Sequence, residues 1–469
     1  MRLIELLDPL FKLLPEVKTP EVSPPLTKKL MWSGLAVLLF FIMGQITVIG
    51  LKTSAAEQLQ LFQQILASKI GTLITVGIGP IVLASIVLQL LVGGKFISLD
   101  FSNPLDRARF TSLQKLLAII FCFFEAAAYA GFGIFPALIE PMPGMFFIVI
   151  LQIALGSIIL LYLDEVVSKY GVGSGIGLFI ACGVAGSFFW RLFAPPMETA
   201  HGMVRGRMWD LLGYLMSGQF TFALPILASI IFVILIFLAV VFVEGIRVNI
   251  PLIIGTRGFG GKFPVKFLYV SNMPVILTMA LYANVQIWAN FMQNTPLMGQ
   301  IFSFLSWITQ PPRISGMIYL EGLIVALLNP AAVSLQTILF ETVHALAYLL
   351  CLTVLCVLFG ILWIELANQG PEQVARQLQQ SGLAIPGFRR DPRVIKNVLD
   401  RYIPPITVLG SAFVGLLAGI SALSSGALVS GIGILLTVGI IYRFYEELAK
   451  EQVFASSALF RKVIGRARI

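Results

Sequence analysis

The sequence predicts an all-α polytopic membrane protein, with ten transmembrane helices in two inverted five-helix halves. Three observations carry that expectation. Apolar residues make up 58 % of the 469 and charged residues 12 %, against roughly 45–50 % and about 25 % in soluble proteins. A soluble domain could not hide so much apolar surface, and a disordered chain would be poor in it. The stretches 30–51, 70–94, 141–163, 211–243 and 402–442 hold no charged residue at all. In helical form, about 20 apolar residues cross a bilayer core with every backbone group paired. Finally, the net charge of +9 is unevenly spread: 26 of the 32 Lys and Arg fall in alternate loops that share one side.

Residues 1–14 come first. Leu3, Leu6, Leu7, Leu10, Leu13 and Leu14 lie near one helical face, with Arg2, Glu5, Asp8 and Lys12 mostly elsewhere. That pattern is an amphipathic helix on the cytosolic interface, not a cleavable signal peptide. A Pro-rich linker from Pro15 to Pro25 completes an N-terminal segment over 1–30. The first half, 31–200, is expected to hold spans at about 31–50, 70–92, 116–133, 145–163 and 175–192. The second, 201–469, is expected to hold spans at about 224–243, 268–289, 338–363, 404–423 and 430–443. Ser424-Ser425-Gly426 supplies the turn between the last two. An odd number of spans per half inverts one half against the other.

The positive-inside rule places both termini in the cytosol, with the basic loops 244–267 and 365–403. Segment 322–340 is also uncharged, but an eleventh span there would move 12 basic residues outside. Asn329-Pro330 breaks it, so an external helical hairpin or half-helix is expected. Segment 52–69 runs Ala55-Ala56-Glu57-Gln58-Leu59-Gln60-Leu61-Phe62-Gln63-Gln64-Ile65 through its middle. It is helix-forming but too polar and short to span, and reads either as a surface helix or as one folded into a wet central vestibule.

Little in the chain supports catalysis or cofactor binding. Gly171 to Gly177 lacks the spacing of a dinucleotide loop, because Ile176 stands where the last Gly belongs. Gly260-Gly261-Lys262 is followed by Phe263 instead of Ser or Thr, so it is no phosphate loop. Both read as cytosolic turns. There are two His, His201 and His344, the latter three residues from Glu341 as an interfacial pair. Cys122, Cys182, Cys351 and Cys356 lie in apolar runs without CxxC spacing, so no disulfide framework or zinc site follows. No cofactor, no metal, no enzyme activity and no DNA partner are expected.

Ionisable groups at membrane depth usually mark ion or proton paths. Only Glu125 sits clearly within a span, with Asn284 and Gln89 as other deep polar groups able to hydrogen-bond between helices. That shortage argues against the alternative class, a secondary transporter of small solutes, and no nucleophile–base set supports an intramembrane enzyme. Ile78 and Val82 share a helical face in the second span, and Ile176 and Ile180 do so in the fifth. Such pairs are ordinary in a membrane helix; brought together, they make an apolar collar that blocks ions by dewetting. The loops holding Arg257, Lys262, Arg389 and Arg390 are longer and more basic than topology needs, which suits acidic partners such as RNA phosphate or anionic lipid.

At these residues the chain resembles the SecY family, the large subunit of the protein-conducting channel, in its archaeal form. The resemblance covers essentially the whole chain. It rests on Ile70-Gly71-Thr72-Leu73-Ile74-Thr75 with Gly77-Ile78-Gly79-Pro80-Ile81-Val82, and on Leu163-Asp164-Glu165 through Tyr170-Gly171 into Gly173-Ser174-Gly175-Ile176. Tyr269-Val270-Ser271-Asn272 with Pro274-Val275-Ile276-Leu277, and Arg401-Tyr402-Ile403-Pro404-Pro405, complete it. The resemblance implies an hourglass channel whose waist is an apolar ring, here Ile78, Val82, Ile176, Ile180, Ile276 and Leu436. It implies a plug helix at about 54–66, including Ala55, Ala56, Leu59, Phe62 and Ile65. A lateral gate would use Glu125 and Asn284; the family's Thr after the second collar residue is Leu83 here, and Gln89 partly substitutes. Arg257, Lys262, Arg389 and Arg390 would contact the ribosome. Implied partners are SecE-type (γ) and β small subunits, nascent polypeptides and signal sequences, the signal recognition particle pathway and membrane lipid. The implied place is the cell membrane.

Overall fold

The computed structural model describes residues 8–11, 14–22, 24–51, 69, 71–94, 96–97, 104–131, 144–199, 202–254, 259–270, 272–292, 298–330, 333–367, 369–380, 383–384, 392–424 and 433–449. Two compact units divide the chain, Met1–Ala185 with Ile440–Ile469, and Gly186–Gly439. Seven helices among the described residues are long and apolar enough to cross a membrane. The other three expected spans are present as shorter or partly described helices.

In the first unit a single helical turn, Asp8–Phe11, falls within the expected N-terminal amphipathic helix; most of the rest of 1–14 lies outside the described residues. Helix α1 (Leu26–Met43) opens behind Pro25, where the missing N–H is needed by no partner. Helices α2 (Gly79–Gly93), α3 (Pro104–Gly131), α4 (Met145–Tyr170) and α5 (Gly175–Phe193) follow. The second span is corrected here: its helix begins at Gly79, not near 70. Gly71 and Gly77 have φ of +85° and +63°, a left-handed conformation that interrupts a helix and favours glycine. Thr72 and Thr75 donate their hydroxyls to the carbonyls of Lys69 and Thr72, a local bonding that competes with helix formation. Thr72 instead pairs with Thr47 in an antiparallel bridge. The first span likewise ends at Met43, and 44–51 turn back toward that bridge.

The core of this unit gathers Val48 and Val76 with Ala126 and Ala130 of α3 and Val149, Ile153 and Ala154 of α4. Small residues let backbones approach. A Cβ on Gly156 would lie 1.9 Å from the Leu73 carbonyl oxygen, so α4 packs directly on the turn that precedes α2. At the other end of α4, Glu165 pairs with Lys115 at 2.7 Å and Lys169 at 2.8 Å and accepts the Val17 amide at 3.2 Å. Lys169 donates to the Val17 carbonyl, and Tyr170 to that of Lys18 at 2.8 Å. The linker after residue 14 is thus strapped onto α3 and α4.

The second unit begins at Gly186, within α5, and continues with the ribbon β1 (Met197–Thr199) and β2 (Gly202–Val204), then α6 (Arg207–Met216) and the long α7 (Phe220–Glu244). Strands β3 (Arg247–Ile254) and β4 (Phe259–Lys266) form a hairpin. Gly260-Gly261-Lys262, expected as a turn, lies within β4, a second correction. Helices α8 (Met273–Met292) and α9 (Met298–Thr309) follow, then the ribbon β5 (Arg313–Ile314) and β6 (Met317–Ile318). The uncharged 322–340 is broken: α10 (Tyr319–Leu328) stops before Asn329-Pro330, and Ser334 caps α11 (Leu335–Leu366) by accepting the Thr337 amide. With 10 residues α10 cannot cross a bilayer.

Helix α12 (Pro371–Gln380), strand β7 (Leu383–Ala384) and helix α13 (Pro392–Leu399) precede α14 (Ile403–Ser424), and a last helix runs over 433–449. Thr407, Ser411, Gly415 and Gly419 recur every fourth residue on α14. A Cβ on Gly415 would meet the Thr353 backbone of α11 at 2.9 Å, and one on Gly360 would meet Ser411. This small-residue seam packs α11 against α14, the means by which helices associate without a hydrophobic drive.

Candidate pore ring and gate

Four expected ring residues lie in the first unit, at the beginnings of two helices. Ile78 is fully buried, and its carbonyl accepts the Val82 amide at 3.1 Å, opening α2. Val82 follows one turn on and is half-buried. The Thr75 hydroxyl also accepts the Gly71 amide at 3.1 Å, which holds the turn that delivers Ile78. Helix α5 is opened from outside itself. Asp164 of α4 accepts the Ile176 amide at 2.8 Å, and a Cβ on Gly175 would lie 2.6 Å from the Asp164 Cα. A carboxylate at a helix start satisfies a free N–H and suits the helix dipole. Ile176 is half-buried and Ile180 buried, while Phe179 between them stacks on Phe40 of α1 at 5.3 Å.

In the second unit Ile276 stands in the first turn of α8, its amide bonded to the Asn272 carbonyl at 3.2 Å. Leu436 is buried and is the fourth described residue of the last helix. Sequence spacing places the pairs Ile78–Val82 and Ile176–Ile180 on helices; it does not show that these four and Ile276 sit at or within two turns of a helix beginning.

The polar gate candidates are set differently. Glu125 is half-buried on α3, beside the buried Cys122 and Ala126, and makes no hydrogen bond or ion pair among the described residues. Gln89 donates to Ser85 of its own helix at 3.2 Å. Leu83 is exposed. Asn284 lies on α8, and its side chain is outside the described residues. Ala55, Ala56, Leu59, Phe62 and Ile65 lie outside them too, but both flanks of their segment are described. Val48 donates to the Gly71 carbonyl and Leu73 to that of Ile46, each at 3.0 Å. Gln152 of α4 bonds both the amide and the carbonyl of Ile49, at 3.1 and 3.2 Å. The two flanks are thus paired as a neck.

Of the basic candidates, Lys262 lies on β4 opposite Pro251; Arg257, Arg389 and Arg390 fall outside the described residues. Sequence reasoning missed that the two basic loops share one sheet. Strand β7 of the second loop pairs with β3 of the first, Ile253 with Ala384 and Ile254 with Leu383, giving the order β4-β3-β7. The signal was present: Val248, Ile250 and Leu252 alternate with Asn249 and Pro251, a strand period, and Ile250 and Val265 are buried. Among the described residues, Pro251 and Pro264 are paired with another strand on one edge only, and a missing N–H is tolerated on the other.

Comparison with known proteins bears on this arrangement directly. The SecY family profile matches residues 72–445, and the profile for the plug domain of Sec61p matches residues 38–71. The protein translocase subunit SecY of Methanothermobacter thermautotrophicus is 44 % identical over 474 residues, covering 99 % of each chain. That of Methanocaldococcus jannaschii is 42 % identical over 465 residues, 98 % of this chain and 99 % of its own. Among solved structures, that of a protein-conducting channel superimposes with a TM-score of 0.71 at 41 % identity, over 95 % of this chain and 97 % of that one. Sec61 in the canine ribosome-channel complex from the endoplasmic reticulum gives 0.70 at 42 % identity with the same coverage.

Proposed function

The chain belongs to the SecY family of protein translocase subunits, an all-α membrane fold of ten spans, and from that premise we propose that it is the passive pore through which secretory polypeptides cross a membrane and transmembrane segments leave into lipid. Its similarity to translocase subunits along essentially its full length carries the reading. The family assignment also displaces the secondary-transporter alternative.

At rest, Ile78, Val82, Ile176, Ile180, Ile276 and Leu436 form a ring of branched aliphatic side chains around a common axis. Water in so narrow an apolar waist is unfavourable, and ions that cannot shed their hydration do not pass. The segment at 54–66 closes the channel from the outer side. A signal sequence enters between α3 and α8, next to Glu125 and Asn284, and separates the halves 31–200 and 201–469. An apolar segment then exchanges into lipid, favourable by ~25 cal/mol per Å² of apolar surface. A polar segment stays in the wetted pore and is threaded onward, with the driving force supplied by its partners. Both termini and the sheet-linked loops 244–267 and 365–403 face the cytosol of a cell-membrane protein. There Arg257, Lys262, Arg389 and Arg390 meet ribosomal RNA phosphate. SecE-type (γ) and β small subunits complete the channel, and the signal recognition particle pathway delivers substrate.

The test is electrical. With all six ring residues changed to Ser or Gly, planar-bilayer conductance of the resting channel should rise well above that of the unaltered protein; an unchanged baseline would refute the seal. Photocrosslinkers at Ile78 and Ile180 should capture a stalled nascent chain.

A further inference from the structure

Helix α9 is too short to cross a membrane, yet it turns an apolar face outward. Met298, Ile301, Phe304 and Leu305 fall on one arc and are all exposed, Phe304 by 59 %. Gln300 and Ser303 are exposed on a neighbouring arc, so the helix shows solvent a half-polar, half-apolar surface. Trp307, in its last turn, stacks on Phe304 with ring centroids 6.1 Å apart and lies 5.8 Å from the Phe340 ring of α11. Phe340 is itself 57 % exposed and heads an outward apolar stripe on α11 continued by Val343, Leu350 and Leu358.

The attachment of α9 to α11 is specific. The His344 ring stacks on Trp307 at 4.1 Å, its Nε2 is 2.6 Å from the Trp307 carbonyl oxygen, and its Nδ1 is 3.3 Å from the Glu341 carboxylate. The expected His344–Glu341 pair is therefore also the bracket that fixes α9 in place. An apolar stripe on a membrane-crossing helix meets lipid tails. An aromatic, half-polar helix continuous with its end stands where tails give way to headgroups.

We propose that α9 lies in the bilayer interface with Met298, Ile301, Phe304 and Leu305 inserted in lipid. The inference rests on reading α11 as a membrane span and names the lipid surface as the partner of this loop. Because α9 follows α8 in the chain, the anchor holds one end of the expected gate helix at that leaflet.

Spin labels decide it. In a chain whose four native cysteines are replaced, a label is placed singly at Ile301, Ser303, Phe304 or, as a reference within α11, Leu350, and the protein is set in phospholipid vesicles. Labels at Ile301 and Phe304 should collide several-fold more with oxygen than with a water-soluble nickel chelate, and the label at Ser303 should show the reverse. Equal nickel access at all three sites, with Leu350 still lipid-buried, overturns the anchor while leaving the span reading intact. Labels at Ile301 and Phe304 shielded from both reagents once small partner subunits are added also overturn it, since a protein then covers the face. Nickel access at Leu350 removes the span and the anchor together.

Discussion

Asp164 and Ile176 are joined across the turn between α4 and α5 by a 2.8 Å hydrogen bond from the Ile176 amide to the carboxylate. One helix thereby caps the next and sets where the Ile176–Ile180 face begins. Loss of a cap costs about 1 kcal/mol, and Gly175 lets Asp164 come close enough to serve. Asp164→Ala should lower thermal stability by an amount of that order and raise resting conductance, because the first turn of α5 frays. Asp164→Asn, which keeps an acceptor oxygen, should recover most of both. Conductance in planar bilayers and thermal unfolding in detergent read the two effects separately.

Gly156 makes an analogous demand on the second span. Any side chain there meets the Leu73 carbonyl oxygen, since even a Cβ would lie 1.9 Å from it. Leu73 is backbone in a tight turn and cannot swing aside like a flexible side-chain end. Gly156→Val should therefore push the turn at 71–78 off α4, displace Ile78 and Val82 together, and leak ions at rest. Overpacking a core costs about 1–3 kcal/mol, so the protein should still assemble. Gly213→Val on α6, where nothing lies within 4 Å of the added Cβ, is the matched control and should leave conductance unchanged.

These two contacts mark how far the sequence could be read. The ten spans were legible because each is an apolar run with at most a charge or two, and lipid allows such a run few other structures. Helix ends were not. Nothing in the composition of 70–78 announces two left-handed glycines and a pair of threonines bonding their own backbone, so the apolar run is longer than α2. The approach of Gly156 to Leu73 joins residues 83 apart and leaves no periodic trace. The β3 strand is readable in the alternation of 248–252, but its pairing with the two-residue β7, about 130 residues on, leaves no local pattern. For the ring, spacing gave two pairs, and their position at helix beginnings came only with coordinates. Ile276 and Leu436 rested on resemblance throughout.

The strap over α3 and α4 yields a third prediction. Glu165 is shared by Lys115 and Lys169 and holds the Val17 amide. The group is mostly shielded from solvent, its carboxylate side chain 19 % exposed, so water and salt screen the pairs less than they screen an open surface pair, worth ~0.2–1 kcal/mol. Glu165→Gln removes both ionic attractions while keeping the size of the side chain. Trypsin should then cleave after Lys18 several-fold faster in vesicles, and added salt should narrow the difference by weakening the unaltered strap. Equal cleavage rates in the two proteins would show that the linker is held by other contacts.

In the second unit, Glu321 of α10 is 5 % exposed and stands between Ser229 of α7, whose hydroxyl donates to it at 2.9 Å, and Arg207 at the start of α6, 3.5 Å away. Ser229 also lies 3.1 Å from the Ser424 carbonyl at the end of α14. Three elements thus meet at one buried carboxylate, and α14 joins them through Ser229. Stripping a buried ion of its partner costs about 3–5 kcal/mol, whereas replacing both members with neutral groups is often harmless. Arg207 keeps part of its solvent, with 35 % of its side chain exposed, so its loss should fall below that range. Arg207→Met should lower the unfolding temperature more than Arg207→Met with Glu321→Gln, although the second carries the extra change. Glu321→Gln alone keeps an acceptor for Ser229 and should cost least. If the double variant proves the weakest of the three, the carboxylate is not sustained by Arg207, and the meeting point is held by the Ser229 and Ser424 contacts instead.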